Sequence, residues 1–312
     1  MTNASEPNAG GAVHLKVVVP SYNRWHEARV ALQCLMRSEY QDFEVVLVED
    51  GCTDGTPENC RREFPSVRLL HGDGNLWWSG AINMGVEYAL KNGADVVVWL
   101  NDDNRVEPST LGALVESFRR QGGRSIVCAR VRATDTGAEW TGAPPPWHPE
   151  FGAWQPPSLE DAPEVQVYHP PGGQGVLIPA ECFREVGVID ARAFPHYWAD
   201  HDFHYRAMKA GFRYFISTRA VVNNVAPPEP EEITSAREAF DFLFGRRSPM
   251  NVATVRRLLK RHLPPREYRA IFYPMLRRHL LWLAYGLAKN RPALRRSLRT
   301  IRKSLPTGRR AA

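Results

Sequence analysis

The sequence predicts an α/β fold: a mostly parallel, Rossmann-like sheet flanked by helices, followed by a basic helical appendage. Three observations predict it. Strand-like segments are short, continuous apolar runs, such as Val17-Val18-Val19, Val45-Val46-Leu47-Val48 and Val96-Val97-Val98-Trp99. Strands buried on both faces read this way, whereas a half-exposed strand alternates. These runs alternate with amphipathic helical patterns, as βαβ units require. The charge is also divided. The net charge is +6, but residues 246–312 hold 19 Lys and Arg against one acid, Glu267. That region carries about +18 and the preceding residues about −12.

Taken in order, residues 1–13 are small and polar and read as a flexible tail. They lack the basic start and apolar core of a signal peptide. Residues 14–228 form the main domain, divided into 14–104 and 105–228, and residues 229–312 form the basic helical region. His14–Pro20 predicts a first strand, with a helix after Ser21-Tyr22-Asn23-Arg24 that uses Ala28, Ala31, Leu32 and Leu35 as its apolar stripe. Phe43–Val48 predicts the second strand, ending in Glu49-Asp50-Gly51. Thr56 and Pro57 suit the N-cap and first turn of the next helix. Val67–Leu70 predicts a third strand. A helix from about Gly80 to Lys91 follows, with Ser79 as a cap and Asn92-Gly93 as its stop. Val96–Leu100 predicts the fourth strand, which ends in Asn101-Asp102-Asp103-Asn104.

From about Thr134 to Pro171, nine prolines and three tryptophans predict a loop-rich span. Gly172-Gly173-Gln174-Gly175 leads into a strand at Val176–Pro179. A short helix follows from Ala180, then a helix through Ala210 and a strand at Phe212–Ile216. Beyond residue 236 the pattern is helical and arginine-rich. Its most apolar stretch, Ile271–Ala288, contains Pro274, Arg277, Arg278 and His279 and is too charged to span a bilayer. The five cysteines are scattered without CxxC pairing, which argues against a disulfide framework or zinc site and fits a reducing cytosol.

In open α/β sheets, ligands bind beyond the carboxyl ends of the strands. Three polar clusters fall there: Ser21-Tyr22-Asn23, Glu49-Asp50 and Asn101-Asp102-Asp103. Adjacent carboxylates ending a buried strand suit a hard cation bridging to a diphosphate; a solvated turn is the alternative. Asp50 suits a nucleoside, while Thr53 and Asp54 suit capping. Asp200, beside Tyr197 and Trp198, suits a general base, with Asp202 as the more structural acid of the two. Of Trp77 and Trp78, one is expected in the core and one against a sugar ring.

Six segments together carry a resemblance: VVVPSYNR at 17–24, VEDGCTDGT at 48–56, GNLWWSGAINMG at 74–85, LNDDN at 100–104, GGQGVLIPAECFREVGVID at 172–190 and YWADHDFHYRAMKAG at 197–211. In this order and spacing the chain resembles family 2 glycosyltransferases of the GT-A fold, in the bacterial rhamnosyltransferase-like branch. The resemblance covers residues 14–225. It implies an inverting, metal-dependent transfer of sugar from a nucleotide-diphosphate donor (dTDP-rhamnose or a UDP-sugar) to a saccharide or lipid-linked acceptor, in cell-surface polysaccharide synthesis. Asp200 would be the base and Asp103 the ligand of Mg²⁺ or Mn²⁺. Pro20, Ser21, Tyr22, Asn23, Asp50, Trp78, Asn83 and Asp102 would face the donor. Gly173, Trp198 and Asp202 would line the acceptor side. Two positions depart from the family pattern: Asn101 begins the D-x-D element, and Ala199 replaces an acid before Asp200. They leave open a nucleotide-sugar-binding protein without catalysis. The basic region is expected either to meet an anionic inner leaflet from the cytoplasmic side, or to pack on its own domain or form a homo-oligomer contact. Nucleic acid is not expected, because the body is acidic and aromatics are not interleaved among the basic residues.

Overall fold

A computed structural model describes residues 13–139, 162–169, 172–224, 233 and 235–287. The described residues fall into two compact units. One takes those up to 195 and 199–224; the other takes 196–198 and those from 233 onward.

The first unit is built on one mixed sheet. Its strands are β1 (Leu15–Ser21), β2 (Phe43–Glu49), β3 (Arg68–His71), β4 (Val96–Trp99), β5 (Arg105–Val106), β6 (Ser125–Ala133), β7 (Glu164–Val167), β8 (Val176–Pro179) and β9 (Arg213–Asn224). The order across the sheet is β3-β2-β1-β4-β8-β6-β9-β5, with β7 also on β9. β3, β2, β1 and β4 are parallel, as are β6 and β9. β8 runs antiparallel to both its neighbours, and β5 and β7 run antiparallel to β9. A run such as Val176-Leu177-Ile178 is buried on both faces in either direction, so its direction is not written in its composition.

The helices of this unit are α1 (Trp25–Met36), α2 (Thr56–Glu63), α3 (Trp77–Lys91), α4 (Thr110–Gln121), α5 (Ala180–Val186) and α6 (Ala199–Lys209). α1 buries Ala28, Ala31, Leu32 and Leu35, as the stripe predicts. Strands and helix β5, α4 and β6 fill residues 105–133. α4 buries Leu111, Leu114 and Val115 in the same core as Val17, Leu47 and Val98.

Several boundaries differ from the sequence reading. α2 starts at Thr56, with Gly55 at the N-cap in a left-handed conformation (φ 81°). Asp54 supplies the capping oxygen: its Oδ1 accepts from Thr56 N at 3.1 Å and its Oδ2 from Trp25 N at 2.8 Å, so one side chain serves the starts of α1 and α2. α3 begins three residues before Gly80. Ser79 lies inside it, buried, and donates to Phe194 O at 2.6 Å instead of capping. β7 lies within the proline-rich span, most of which is outside the described residues. β9 runs eight residues past Ile216.

The second unit holds α7 (Ala236–Phe244), α8 (Val252–His262) and α9 (Pro265–Leu287). Ser235 and Glu238 form a reciprocal capping box on α7. Val255, Leu259, Tyr268, Phe272 and Met275 make its core. Among the described residues, no helix is long and apolar enough to cross a membrane.

Candidate active site

β1 is central, between β2 and β4, so its end lies beside theirs. Pro20 can sit in this central strand because β4 pairs with β1 only as far as Val18↔Trp99; the missing N–H falls where β4 has already turned away. The turns that follow are locked together. Asp50 N donates to Ser21 O at 3.0 Å, and Thr53 N donates to Asn23 Oδ1 at 2.7 Å. Asn23 is held with φ 51°, an uncommon conformation for a side chain to adopt. Tyr22 is exposed on this rim.

Asp50 is 4% exposed. Its Oδ1 accepts from Gly74 N at 2.8 Å and its Oδ2 from Trp77 N at 3.0 Å. Trp77 is the first residue of α3, so Asp50 caps a helix 27 residues away, where a negative charge complements the helix dipole. This explains why α3 starts before Ser79. Each carboxylate oxygen has a second lone pair, so Asp50 retains acceptor capacity for a ligand. The adjacent Glu49, 3% exposed, accepts from Cys52 N at 2.7 Å and pairs with His71 Nδ1 at 2.5 Å, which stiffens the same turn.

Asp102 and Asp103 converge on one cation, the guanidinium of Arg24. Arg24 Nη1 donates to Asp102 Oδ1 at 2.9 Å, and Nη2 donates to Asp103 Oδ2 at 3.2 Å. Ser21 Oγ donates to Asp102 Oδ2 at 2.9 Å. Burial pushes the Asp102 carboxyl up to about 6, against the pull of Arg24 and Ser21 toward the ionised form. Asn104, fully buried, donates to Gln174 Oε1 at 3.1 Å, and Asn224 donates to the same oxygen at 2.9 Å. This amide network ties the acidic turn to the Gly172–Gly175 loop.

Trp78 forms the next wall. Its Nε1 donates to Asn101 Oδ1 at 2.8 Å, and its ring meets buried Trp99 edge to face at 5.9 Å. Gly173 lies directly against it: a β-carbon there would stand 2.6 Å from Trp78 Cζ2. A β-carbon on Gly172 would stand 3.7 Å from Asp200 Oδ2. Asp200 is half-buried in the first turn of α6, and its Oδ1 accepts from His201 N at 2.8 Å. Contacts therefore run from Ser21 through Asp102, Asn101 and Trp78 to Gly173, in the loop that passes beside Asp200.

Three predicted site residues are engaged elsewhere. Asn83 uses both halves of its amide on Ile189, donating to its O at 2.8 Å and accepting from its N at 3.0 Å. Asp202 is fully buried and accepts from Arg206 Nε at 3.1 Å, an i,i+4 pair inside α6. Trp198 belongs to the second unit, where its Nε1 donates to Pro249 O at 2.6 Å. Conversely, Arg24, Asn104 and Gln174 stand in the site without having been singled out. All three lie inside the PSYNR, NDDN and GGQG segments, and that proximity was the available signal.

A divalent cation fits this geometry. Asp102 and Asp103 already direct oxygens at one positive group, and Mg²⁺ characteristically takes one or two carboxylates and completes its shell with phosphate and water. Among the described residues there is no cluster of three or more His, Cys, Asp or Glu that could hold a metal unaided.

Known proteins resemble this chain in sequence and in fold. The model of the family "Glycosyl transferase family 2" matches residues 16–170. An uncharacterised glycosyltransferase of Escherichia coli, YibD, is 28% identical over 149 residues, 40% of this chain and 42% of that protein. The N-acetylglucosaminyl-diphospho-decaprenol L-rhamnosyltransferase of Mycobacterium tuberculosis is 27% identical over 114 residues, 34% of this chain and 37% of that protein. The chain thus spans less than half the length of these curated relatives. A crystal structure of GalNAc-T7 with UDP, GalNAc and Mn²⁺ superposes with a TM-score of 0.62 at 14% identity, covering 95% of this chain and 58% of that one. The fold is GT-A.

Proposed function

We propose that this chain, whose residues 16–170 match the model of glycosyl transferase family 2, transfers a sugar from a nucleoside-diphosphate donor to a hydroxyl group with inversion at the anomeric carbon. The observation that carries the reading is the line from the Ser21–Asp102–Asp103 corner, past Trp78 and Gly173, to the loop beside Asp200. It offers a nucleotide end, an aromatic middle and a base. Asp50 and the Ser21–Asn23 turn receive the nucleoside, with Tyr22 on the rim. Trp78 offers an aromatic face to the sugar. Asp200 accepts the proton as the acceptor oxygen bonds to the anomeric carbon and the bond from that carbon to the diphosphate oxygen breaks. A Mg²⁺ or Mn²⁺ ion held by Asp103 and Asp102 would supply charge neutralisation for the leaving diphosphate.

A dTDP-rhamnose or UDP-sugar donor is supported by the mycobacterial rhamnosyltransferase among the relatives and by the UDP in the GalNAc-T7 crystal. The same relative supports a saccharide or lipid-linked acceptor. The basic helices α8 and α9 suit a peripheral position on an anionic cytoplasmic membrane face.

The test is a panel of dTDP-, UDP- and GDP-sugars, with and without Mn²⁺ or Mg²⁺, read by the shift in thermal unfolding. A ligand that binds only the folded state must raise its apparent stability. One nucleotide class stabilising only with metal supports the donor site; no shift at millimolar donor rejects it. Metal-dependent binding without turnover, unchanged in Asp200→Asn, would instead identify a protein that binds nucleotide-sugars without transferring them.

A further inference from the structure

Arg24 stands where the site's chemistry calls for a cation. All four oxygens of the Asp102–Asp103 pair are engaged. Asp102 Oδ2 accepts from Ser21 Oγ at 2.9 Å and Asp103 Oδ1 from Asn104 Nδ2 at 3.4 Å. Arg24 takes the other two, Asp102 Oδ1 at 2.9 Å and Asp103 Oδ2 at 3.2 and 3.3 Å. The two carboxylates are unequal. The Asp102 side chain is 7% exposed and the Asp103 side chain 30%, so Asp103 is the one a solvated ion can reach. The Arg24 side chain is 46% exposed and lies on that accessible side. It therefore occupies the oxygen that an incoming ion would use.

We propose that Arg24 is an internal counter-ion that competes with the divalent cation for Asp103 and, once displaced, binds the donor's diphosphate. This rests on the donor-site reading above. Two physical arguments carry it. A guanidinium and a dication cannot both coordinate Asp103 Oδ2 at close range, because like charges at that separation repel strongly in a partly desolvated corner. The released guanidinium is a planar fork that matches phosphate oxygens, and it sits at the start of α1, one residue after the turn that flanks the nucleotide corner. The exchange is a swap of partners: Arg24 leaves two carboxylates for the phosphates, and the metal takes its place. The two acids keep a positive neighbour throughout. Metal without nucleotide then binds weakly, and metal with nucleoside diphosphate binds well, because the diphosphate gives Arg24 somewhere to go.

The experiment measures Mn²⁺ binding to the full chain by the loss of the free-ion electron paramagnetic resonance signal. Wild type, Arg24→Ala and Arg24→Lys are compared, first with Mn²⁺ alone and then with UDP or dTDP. Removing the competitor should tighten binding of Mn²⁺ alone by at least about fivefold in Arg24→Ala, a size set by the modest worth of a half-exposed ion pair. The same variant should bind Mn²⁺-dependent UDP or dTDP about tenfold or more weakly, with Arg24→Lys between it and wild type. A residue that merely braces the turn would weaken both kinds of binding together. Unchanged or weaker binding of Mn²⁺ alone in Arg24→Ala, with native circular dichroism, overturns the proposal. If Arg24→Ala does not fold, Arg24→Lys decides on the same readout. Failure of wild type to bind nucleotide with metal would reject the donor site instead, and the Mn²⁺-alone comparison would still report on Arg24.

Discussion

Gly173→Ala tests whether Trp78 is fixed as a wall of the site. The backbone of Gly173 is not left-handed, so an alanine meets no conformational strain there, only a shortage of space. Its β-carbon would lie 2.6 Å from Cζ2 and 2.8 Å from Cη2 of Trp78. Carbon contacts are comfortable near 3.5–4.0 Å, so roughly 1 Å must be found. Trp78 cannot yield it freely, since its Nε1 is bonded to Asn101 and its ring rests edge to face on Trp99, which is fully buried. Moving the ring forfeits a hydrogen bond worth about 1 kcal/mol and part of an aromatic contact worth about 0.5–1.5 kcal/mol. The expected cost is about 1–3 kcal/mol, in the range of other overpacked sites. Chemical denaturation of wild type, Gly173→Ala, Trp78→Phe and the double variant gives the coupling. Phenylalanine lacks the offending ring atoms, so Gly173→Ala should cost at least 1 kcal/mol less in the Trp78→Phe background. Equal costs in both backgrounds would mean that Trp78 is not packed on Gly173, and the line of contacts would be lost with it.

Three further expectations follow from the same geometry. Gly85→Ala should destabilise the chain by about 1–3 kcal/mol by denaturant titration, despite a helix-propensity gain near 1 kcal/mol, because its β-carbon would lie 2.3 Å from Cγ1 of buried, β-branched Val18. Asp50→Asn should cost about 1–3 kcal/mol and weaken nucleotide binding at least tenfold by calorimetry, since one amide N–H₂ must then face a backbone N–H of Gly74 or Trp77. His204 is buried beneath the Gly172 loop, and burial lowers it to about 3. The folded state therefore holds fewer protons than the unfolded chain. Stability is fully present above about pH 6.5 and should fall as pH drops from there toward 3, by up to about 1.4 kcal/mol per pH unit. His201, lowered for the same reason, adds to the slope. His204→Gln should flatten the decline between pH 6 and 4, and an unchanged slope by thermal unfolding would contradict the assignment.

The strands that position the site are legible because local composition alone decides them. A run such as Val96–Trp99 is apolar at every position and has nowhere to go but a sheet covered on both faces. The convergence of Ser21, Asp50 and Asp102 follows from parallel neighbours ending on one edge. What escapes the sequence is partnership over distance. Asp50 caps a helix 27 residues on, and Asn83 closes on Ile189 over 106 residues; nothing in either residue's local pattern announces it. Asp202 is a different case, since Arg206 one helical turn later was a readable sign of an internal pair.

Asn101 is the instructive position. Against the family pattern it reads as a missing acid. In the structure its side-chain oxygen receives the Trp78 indole at 2.8 Å, while its backbone N–H donates to Asn104 Oδ1 at 3.0 Å. A carboxylate could accept the same indole proton, but it would add a third negative charge to a corner where burial already pushes the Asp102 carboxyl up and Arg24 is the cation bonded to the pair. The amide performs the same anchoring without that charge. The departure therefore leaves the two acids that converge on a cation untouched and removes a source of repulsion beside them. The departure is compatible with the donor site proposed above, and Asn101→Asp, by adding the charge back, should push the Asp102 carboxyl further up in an NMR titration.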